Sequence, residues 1–164
     1  LADGPSADWP AAPADLASSL RLDDYLPYRL SVAANEVSRL ISRAYQDRFD
    51  LTIPQWRLIA VLAEGGPMTP QDICIRTAMD KVAVSRAARD LAQTGHAEAA
   101  PHPRDGRSHL LDLTLQGRDL YARIAPLALA LEAELLGGWA GTAIEGLKAD
   151  LVRLQETARA LGAR

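Results

Sequence analysis

"TPQDICIRTAMDKVAVSRAARDLAQTG", residues 69–95, holds two helical patterns separated by a short break. Thr69 suits an N-cap, Pro70 the first helical position and Asp72 the positive helix end, so a short helix opens here. After a turn of three or four residues a second helix begins near Asp80 and stops at Gly95. In it Val84, Ala87, Ala88 and Leu91 recur at i, i+3, i+4 and i+7, which makes one apolar face. Lys81, Val82, Ser85, Arg86 and Arg89 lie on another. Two short helices joined by a tight turn predict a helix-turn-helix whose second helix docks through its small residues and projects its donors.

The period changes just downstream. "AEAAPHPRDGRSHLLDLT", residues 97–114, reads as strand, turn, strand. Asp105–Gly106 is the turn signal, His109, Leu111 and Leu113 alternate on one face, and Pro101 and Pro103 suit an edge. A ribbon following a helix-turn-helix is a wing. Upstream, Thr52 caps a helix with Pro54 in its early turn, and Gly65–Gly66–Pro67 ends it. A longer helix is expected from Leu22 to about Arg48, with Pro27 in its first turn. Beyond the ribbon Thr114 caps a helix that Pro126 should kink. Gly137–Gly138 interrupts the pattern, and Thr142 with Glu145 has the spacing of a capping box. The last helix carries Ile144, Leu147, Leu151, Leu154, Ala158 and Leu161 at alternating spacings of three and four, a narrow seam of the coiled-coil kind.

The expected fold is mainly α with a small two- to three-stranded β wing. Three regions are expected: a flexible arm over 1–21 with Trp9 as an anchor, a helical pairing region formed by 22–50 and 115–164, and a DNA-binding unit over 51–114. The outer helices exceed what a DNA-reading core of this size needs, and their expected use is homodimerisation.

Composition narrows the chemistry. The 164 residues carry a net charge of −3, so any nucleic-acid role must rest on a local patch. Lys81 to Arg118 is such a patch, with six basic residues against four acidic ones. Arg86 and Arg89 ride on the projecting helix and Arg104 and Arg107 at the ribbon tip, where Asp105 is placed to hold Arg107 extended. The helix fits a major groove and the ribbon tip the adjacent minor groove of double-stranded DNA. The single cysteine, Cys74, forms no internal disulfide, and with no membrane-length apolar run the chain reads as cytoplasmic.

These segments resemble the MarR family of transcription regulators. The resemblance covers roughly residues 25–136 and rests on "LTIPQWRLIAVLAEGGPMTPQDI", "DKVAVSRAARDLAQTGHAE" and above all "DGRSHLLDLT", which fits the family's wing signature through Asp105, Arg107, Leu113 and Thr114. It implies a winged helix-turn-helix homodimer. By carry-over Thr69, Lys81, Val82, Ser85, Arg86, Arg89, Arg104, Asp105 and Arg107 are the DNA-contacting set. It also implies a repressor released by a small effector, commonly an aromatic acid or its derivative. "LPYRLSVAANEVSRLISRAYQDRFDLTIPQWRLIAVL" is similar to a branch that includes sensors of hydroxycinnamoyl-CoA thioesters, and Tyr28, Arg29 and Trp56 are the candidate ligand residues. The sequence departs from the family at Ala99, Ala100 and Ser108, where basic residues are frequent, which implies fewer phosphate contacts and a shallower salt dependence.

Rival readings carry less. A redox switch through Cys74 competes with the expectation that this thiol is a buried packing residue. His96, His102 and His109 form no recognised metal spacing, and no metal or cofactor is expected. No phosphate loop, nucleophile elbow or metal-binding helix motif marks an enzyme. A helical protein adaptor would not need Arg107 at a ribbon tip.

Overall fold

The computed structural model describes residues 20–102 and 105–162, the side chains of residues 102–107 excepted. The arm over residues 1–19, with Trp9, lies outside them, and so does Arg104. Among the described residues six α-helices and one ribbon follow in order: α1 (Leu26–Phe49), α2 (Ile53–Gly65), α3 (Pro70–Thr77), α4 (Lys81–Gln93), β1 (Ala97–His102), β2 (Asp105–Leu113), α5 (Leu115–Leu136) and α6 (Gly141–Gly162). Mainly helical, with a small wing, is the architecture expected from the sequence.

The first helix starts later than its pattern suggests. Leu22–Asp24 form a single 3₁₀ turn and Tyr25 is extended. Pro27 sits in the first turn of α1, and a proline there has no N–H with which to continue an α-helix upstream. At the other end Asp50 takes a left-handed conformation, φ +53°, beside a 2.6 Å hydrogen bond from the Gln46 amide to its carboxylate.

α2 opens with a full capping box: the Thr52 hydroxyl accepts from the Gln55 N–H, and the Gln55 side chain accepts from the Thr52 N–H at 2.8 Å. The box expected at Thr142 is different. The Ala140 carbonyl already accepts the first α-helical bond of α6, from the Ile144 N–H, so Thr142 falls inside the helix. The Glu145 carboxylate accepts from Lys148 at 3.2 Å instead. α5 runs through Pro126 without a break.

The core gathers under the helix-turn-helix. Leu58, Ile59 and Leu62 of α2, Ile73 of α3, Val84, Ala87 and Leu91 of α4, Leu111 and Leu113 of β2, and Leu120 and Ile124 of α5 are buried in one cluster. Each comes from the apolar stripe of its element, which is why these elements dock where they do. β1 and β2 pair antiparallel from Ala97 opposite Leu113 to Pro101 opposite His109. Met68 adds a one-residue third strand, exchanging hydrogen bonds of 3.0 and 2.8 Å with Leu111.

The turn of the wing is not where Asp105–Gly106 points. His102 pairs with Asp105, and both Asp105 and Gly106 begin β2. The register shifts between Pro101 and His102. Leu111 spends both its N–H and C=O on Met68, so the alternation of an antiparallel pair places Pro101 opposite His109 at a position where its missing N–H faces away from β2 and costs no ladder bond.

α1 and α6 are packed least. No residue of α6 is buried, and Leu26, Tyr28, Val32 and Leu40 of α1 are exposed along with Leu147, Leu151, Leu154 and Leu161 of α6. No single described helix is long and apolar enough to cross a membrane; α5 and α6 pass that test only together, and they are bent by 108°.

Candidate nucleic-acid interface

α3 and α4 are held at an angle by a three-residue turn, 78–80, in which Ala78 takes a left-handed conformation, φ +54°, and Met79 is buried. Each helix carries its own start signal. The Thr69 hydroxyl accepts from the Asp72 N–H at 3.1 Å and donates to the Asp72 carboxylate at 2.7 Å. The Asp80 carboxylate accepts from the Ala83 N–H at 2.7 Å and thereby sets the first turn of α4. These caps fix which residues of α4 face inward.

Val84, Ala87 and Leu91 are buried and Ala88 half-buried, while Lys81, Val82, Ser85, Arg86 and Arg89 are exposed together. The five sequence-predicted residues of this helix therefore share one open face. A cleft of about 710 Å³ runs between α3, α4 and β2, with Thr69, Lys81, Ser85, Arg89 and His109 on its walls. Lys81, Ser85 and Arg89 can donate hydrogen bonds, as can a His109 ring N–H, whereas the one Thr69 hydroxyl proton is given to Asp72; two of the five are cations, so the cleft suits an anionic, oxygen-rich strand. Thr69 joins this set although its hydroxyl also caps α3.

Two residues differ from their sequence reading. Arg118, counted in the basic patch, is held by Asp112 at 2.9 and 3.0 Å, which neutralises both. Cys74, expected to be buried, is half-buried and opens into the same cleft as Lys81 and Arg89. Ile73 takes the fully buried position of α3, and the next residue is turned about 100° away from it. At the wing, Asp105 and Arg107 have their backbone in β2, but their side chains, and any bond between them, lie outside the described residues.

A knot of hydrogen bonds ties the end of α4 to the start of α5, with the ribbon between. The Thr114 hydroxyl donates to the Gly95 carbonyl at 2.6 Å and accepts from the Gly117 N–H at 3.0 Å, and the Thr114 N–H donates to the His96 carbonyl at 3.2 Å. These bonds join the end of α4, the start of the ribbon and the first turn of α5.

This winged helix-turn-helix has counterparts among known proteins. A family model described as MarR family matches residues 49–108. An uncharacterized HTH-type transcriptional regulator of Mycobacterium bovis is 32% identical over 98 residues, 60% of this chain and 68% of that protein. The chain belongs to the MarR family of transcription regulators. A MarR/EmrR family regulator from Acinetobacter sp. superposes with a TM-score of 0.80 at 26% identity, covering 85% of this chain and 99% of its own. A mutant MarR from E. coli, solved complexed with operator DNA, shares the fold at 22% identity with a TM-score of 0.71, over 79% of this chain and 92% of that one. As a MarR-family regulator the chain is a DNA-binding protein of transcription control, and its exposed α4 face is the feature that such a role requires.

The candidate ligand residues do not converge. Trp56 of α2 packs edge-on to Tyr45 at 5.1 Å and stacks on Tyr121 at 6.0 Å. It lines an apolar cavity of about 400 Å³ between α1, α2 and α5 with Val37, Ile41, Tyr45 and Leu131; Glu132 is the one charged residue in that lining. Burial pushes the Tyr45 phenol above its ordinary value. Tyr28 and Arg29 lie near the start of α1, on the order of 12 Å along the helix axis from Val37. Arg29 stands 3.8 Å from Asp23 there. The tyrosines flanking Trp56 were not read from the sequence as part of a cluster, since 45, 56 and 121 have no shared spacing.

Proposed function

We propose that the chain acts as a homodimeric repressor that binds a pseudo-palindromic operator and is released by a small aromatic effector. One observation carries the DNA-contacting assignment: Lys81, Val82, Ser85, Arg86 and Arg89 are exposed on one face of α4, opposite the buried Val84, Ala87 and Leu91. α4 enters the major groove, with Ser85 and Arg86 as readers or phosphate clamps and Thr69, Lys81 and Arg89 on the flanking backbone. The wing reaches the minor groove through Arg107, with Asp105 and Arg104 beside it. Residues 51–114 form the reading unit, and 22–50 with 115–164 form the pairing region. Two copies recognise half-sites about one helical turn, ~34–36 Å, apart.

The test is a duplex enriched by the protein from a random pool. Arg86→Ala is expected to weaken binding roughly tenfold to a hundredfold and to relax sequence preference at one base position. Unchanged affinity and preference would remove α4 as the reading helix.

Pairing is supported by the apolar faces of α1 and α6. Leu26 and Leu30 of one and Leu147, Leu151 and Leu154 of the other line a common groove. An exposed apolar surface spread over two helices marks an interface, and the seam spacing of α6 matches a helical partner. The occupant is a second copy, because the same two helices offer both sides of an isologous contact.

The effector reading rests on the cavity beside Trp56. Its apolar and aromatic walls take a ring, while the carboxylate of an aromatic acid, or the long polar part of a CoA thioester, stays at the mouth because no cation lines the interior. A saturating aromatic ligand is expected to lower operator affinity about tenfold. Trp56→Ala is expected to lose that response while still binding the operator without ligand. A panel of aromatic acids, amines and CoA esters with no effect on binding would sink this part.

A further inference from the structure

We propose that Val82 reads the 5-methyl group of a thymine in each half-site, within about two base steps of the base read by Arg86. The inference rests on the reading of α4 as the groove helix and names what one of its residues recognises. Val82 is 67% exposed and is the one large apolar side chain left open on α4. Its neighbours on that face are Lys81, Ser85, Arg86 and Arg89, all polar. A β-branched residue there lowers helix propensity relative to alanine and recovers little by burial, so nothing within the chain accounts for it. In the major groove the base edges present donors and acceptors and a single apolar group, the thymine 5-methyl. Among the residues of this face only Val82 matches that group in chemistry.

Position sets the register. Val82 stands in the first turn of α4, which the Asp80 cap holds in place, and Arg86 follows one turn later. Four residues advance about 6 Å along the axis, close to two base steps of about 3.4 Å each. A long guanidinium and a short isopropyl group on one face reach bases that close together. The predicted half-site therefore pairs a thymine with the base that Arg86 contacts.

The experiment uses the full chain and the duplex it enriches from a random pool, with each thymine replaced in turn by uracil, which removes only the methyl group. At one thymine per half-site uracil is expected to cost about fourfold in affinity, and roughly fifteenfold when both half-sites carry it. At that position 5-methylcytosine should bind better than cytosine by a similar factor. Val82→Ala, at an exposed position where the helix tolerates it, changes both copies, so it is expected to lose roughly fifteenfold on the thymine duplex and to bind thymine and uracil duplexes alike. Equal binding of thymine and uracil at every position by the unaltered protein would overturn the contact, and so would a thymine–uracil gap that survives in Val82→Ala. A pool from which no duplex is enriched would instead overturn DNA reading by α4, and this contact with it.

Discussion

Leu151→Glu is expected to leave a folded chain that no longer pairs. Leu151 is 44% exposed in the single chain, and α6 contributes nothing to the buried core, so the substitution leaves the helix-turn-helix untouched. In a dimer closed over the seam, the new carboxylate would be buried without a partner on both copies. An uncompensated buried charge costs roughly 3–5 kcal/mol, and two of them raise the dimer dissociation constant by roughly 10⁴-fold or more. Operator affinity should fall with it, because two linked reading heads gain about 10²–10⁴ over one. Sedimentation equilibrium checks the mass, and far-ultraviolet circular dichroism checks that the chain stays helical. Glu156→Gln, on the opposite side of α6, is the matched control and should stay dimeric. A Leu151→Glu protein with unaltered mass at micromolar concentration would end the proposal that α6 is part of the interface.

Gly117→Ala should damage the fold where the reading parts are joined. A Cβ at Gly117 would lie 2.0 Å from the His96 carbonyl oxygen and 3.3 Å from the Leu113 side chain. The oxygen belongs to backbone and cannot swing aside. Relief requires α5 to draw away from the end of α4, which breaks the bonds from Thr114 to Gly95 and His96. Overpacking of 1–3 kcal/mol with lost hydrogen bonds of about 1 kcal/mol each gives a loss of about 3 kcal/mol, or roughly 6–12 °C in Tm. Thermal unfolding at matched protein concentration measures it. Gly146→Ala, where a Cβ meets nothing within 4 Å, should be neutral or slightly stabilising. Equal melting of Gly117→Ala and the unaltered protein would mean that the knot does not hold the wing to α4.

Much of this was legible because it is local. The caps at Thr52, Thr69 and Thr114 depend on residues three positions away, and each is found with its hydrogen bond in place, while the helix expected to begin near Asp80 does so with that residue as its cap. The faces of α4 depend only on 3.6-residue periodicity, so Val84, Ala87 and Leu91 turn inward as their spacing requires. Signals that compete with another local one were harder to read. Thr142 and Glu145 have capping-box spacing, but the helix begins two residues earlier than that cap would start it, and Lys148 takes the carboxylate. Asp105–Gly106 has turn chemistry, but His102 pairs with Asp105 and both residues begin β2.

By itself the sequence determined the element order, the starts of α2, α3, α4 and α5 and which side of α4 is apolar, because those follow from hydrogen bonds and side-chain directions within a few residues. Only the tertiary structure decided the rest. It paired Arg118 with Asp112, opened Cys74 to the cleft, joined Trp56 to Tyr45 and Tyr121, and gave Gly117 its reason to be glycine. Each of those depends on how near two distant segments come, and that distance is set by the packing of the whole core, which no local pattern of residues encodes.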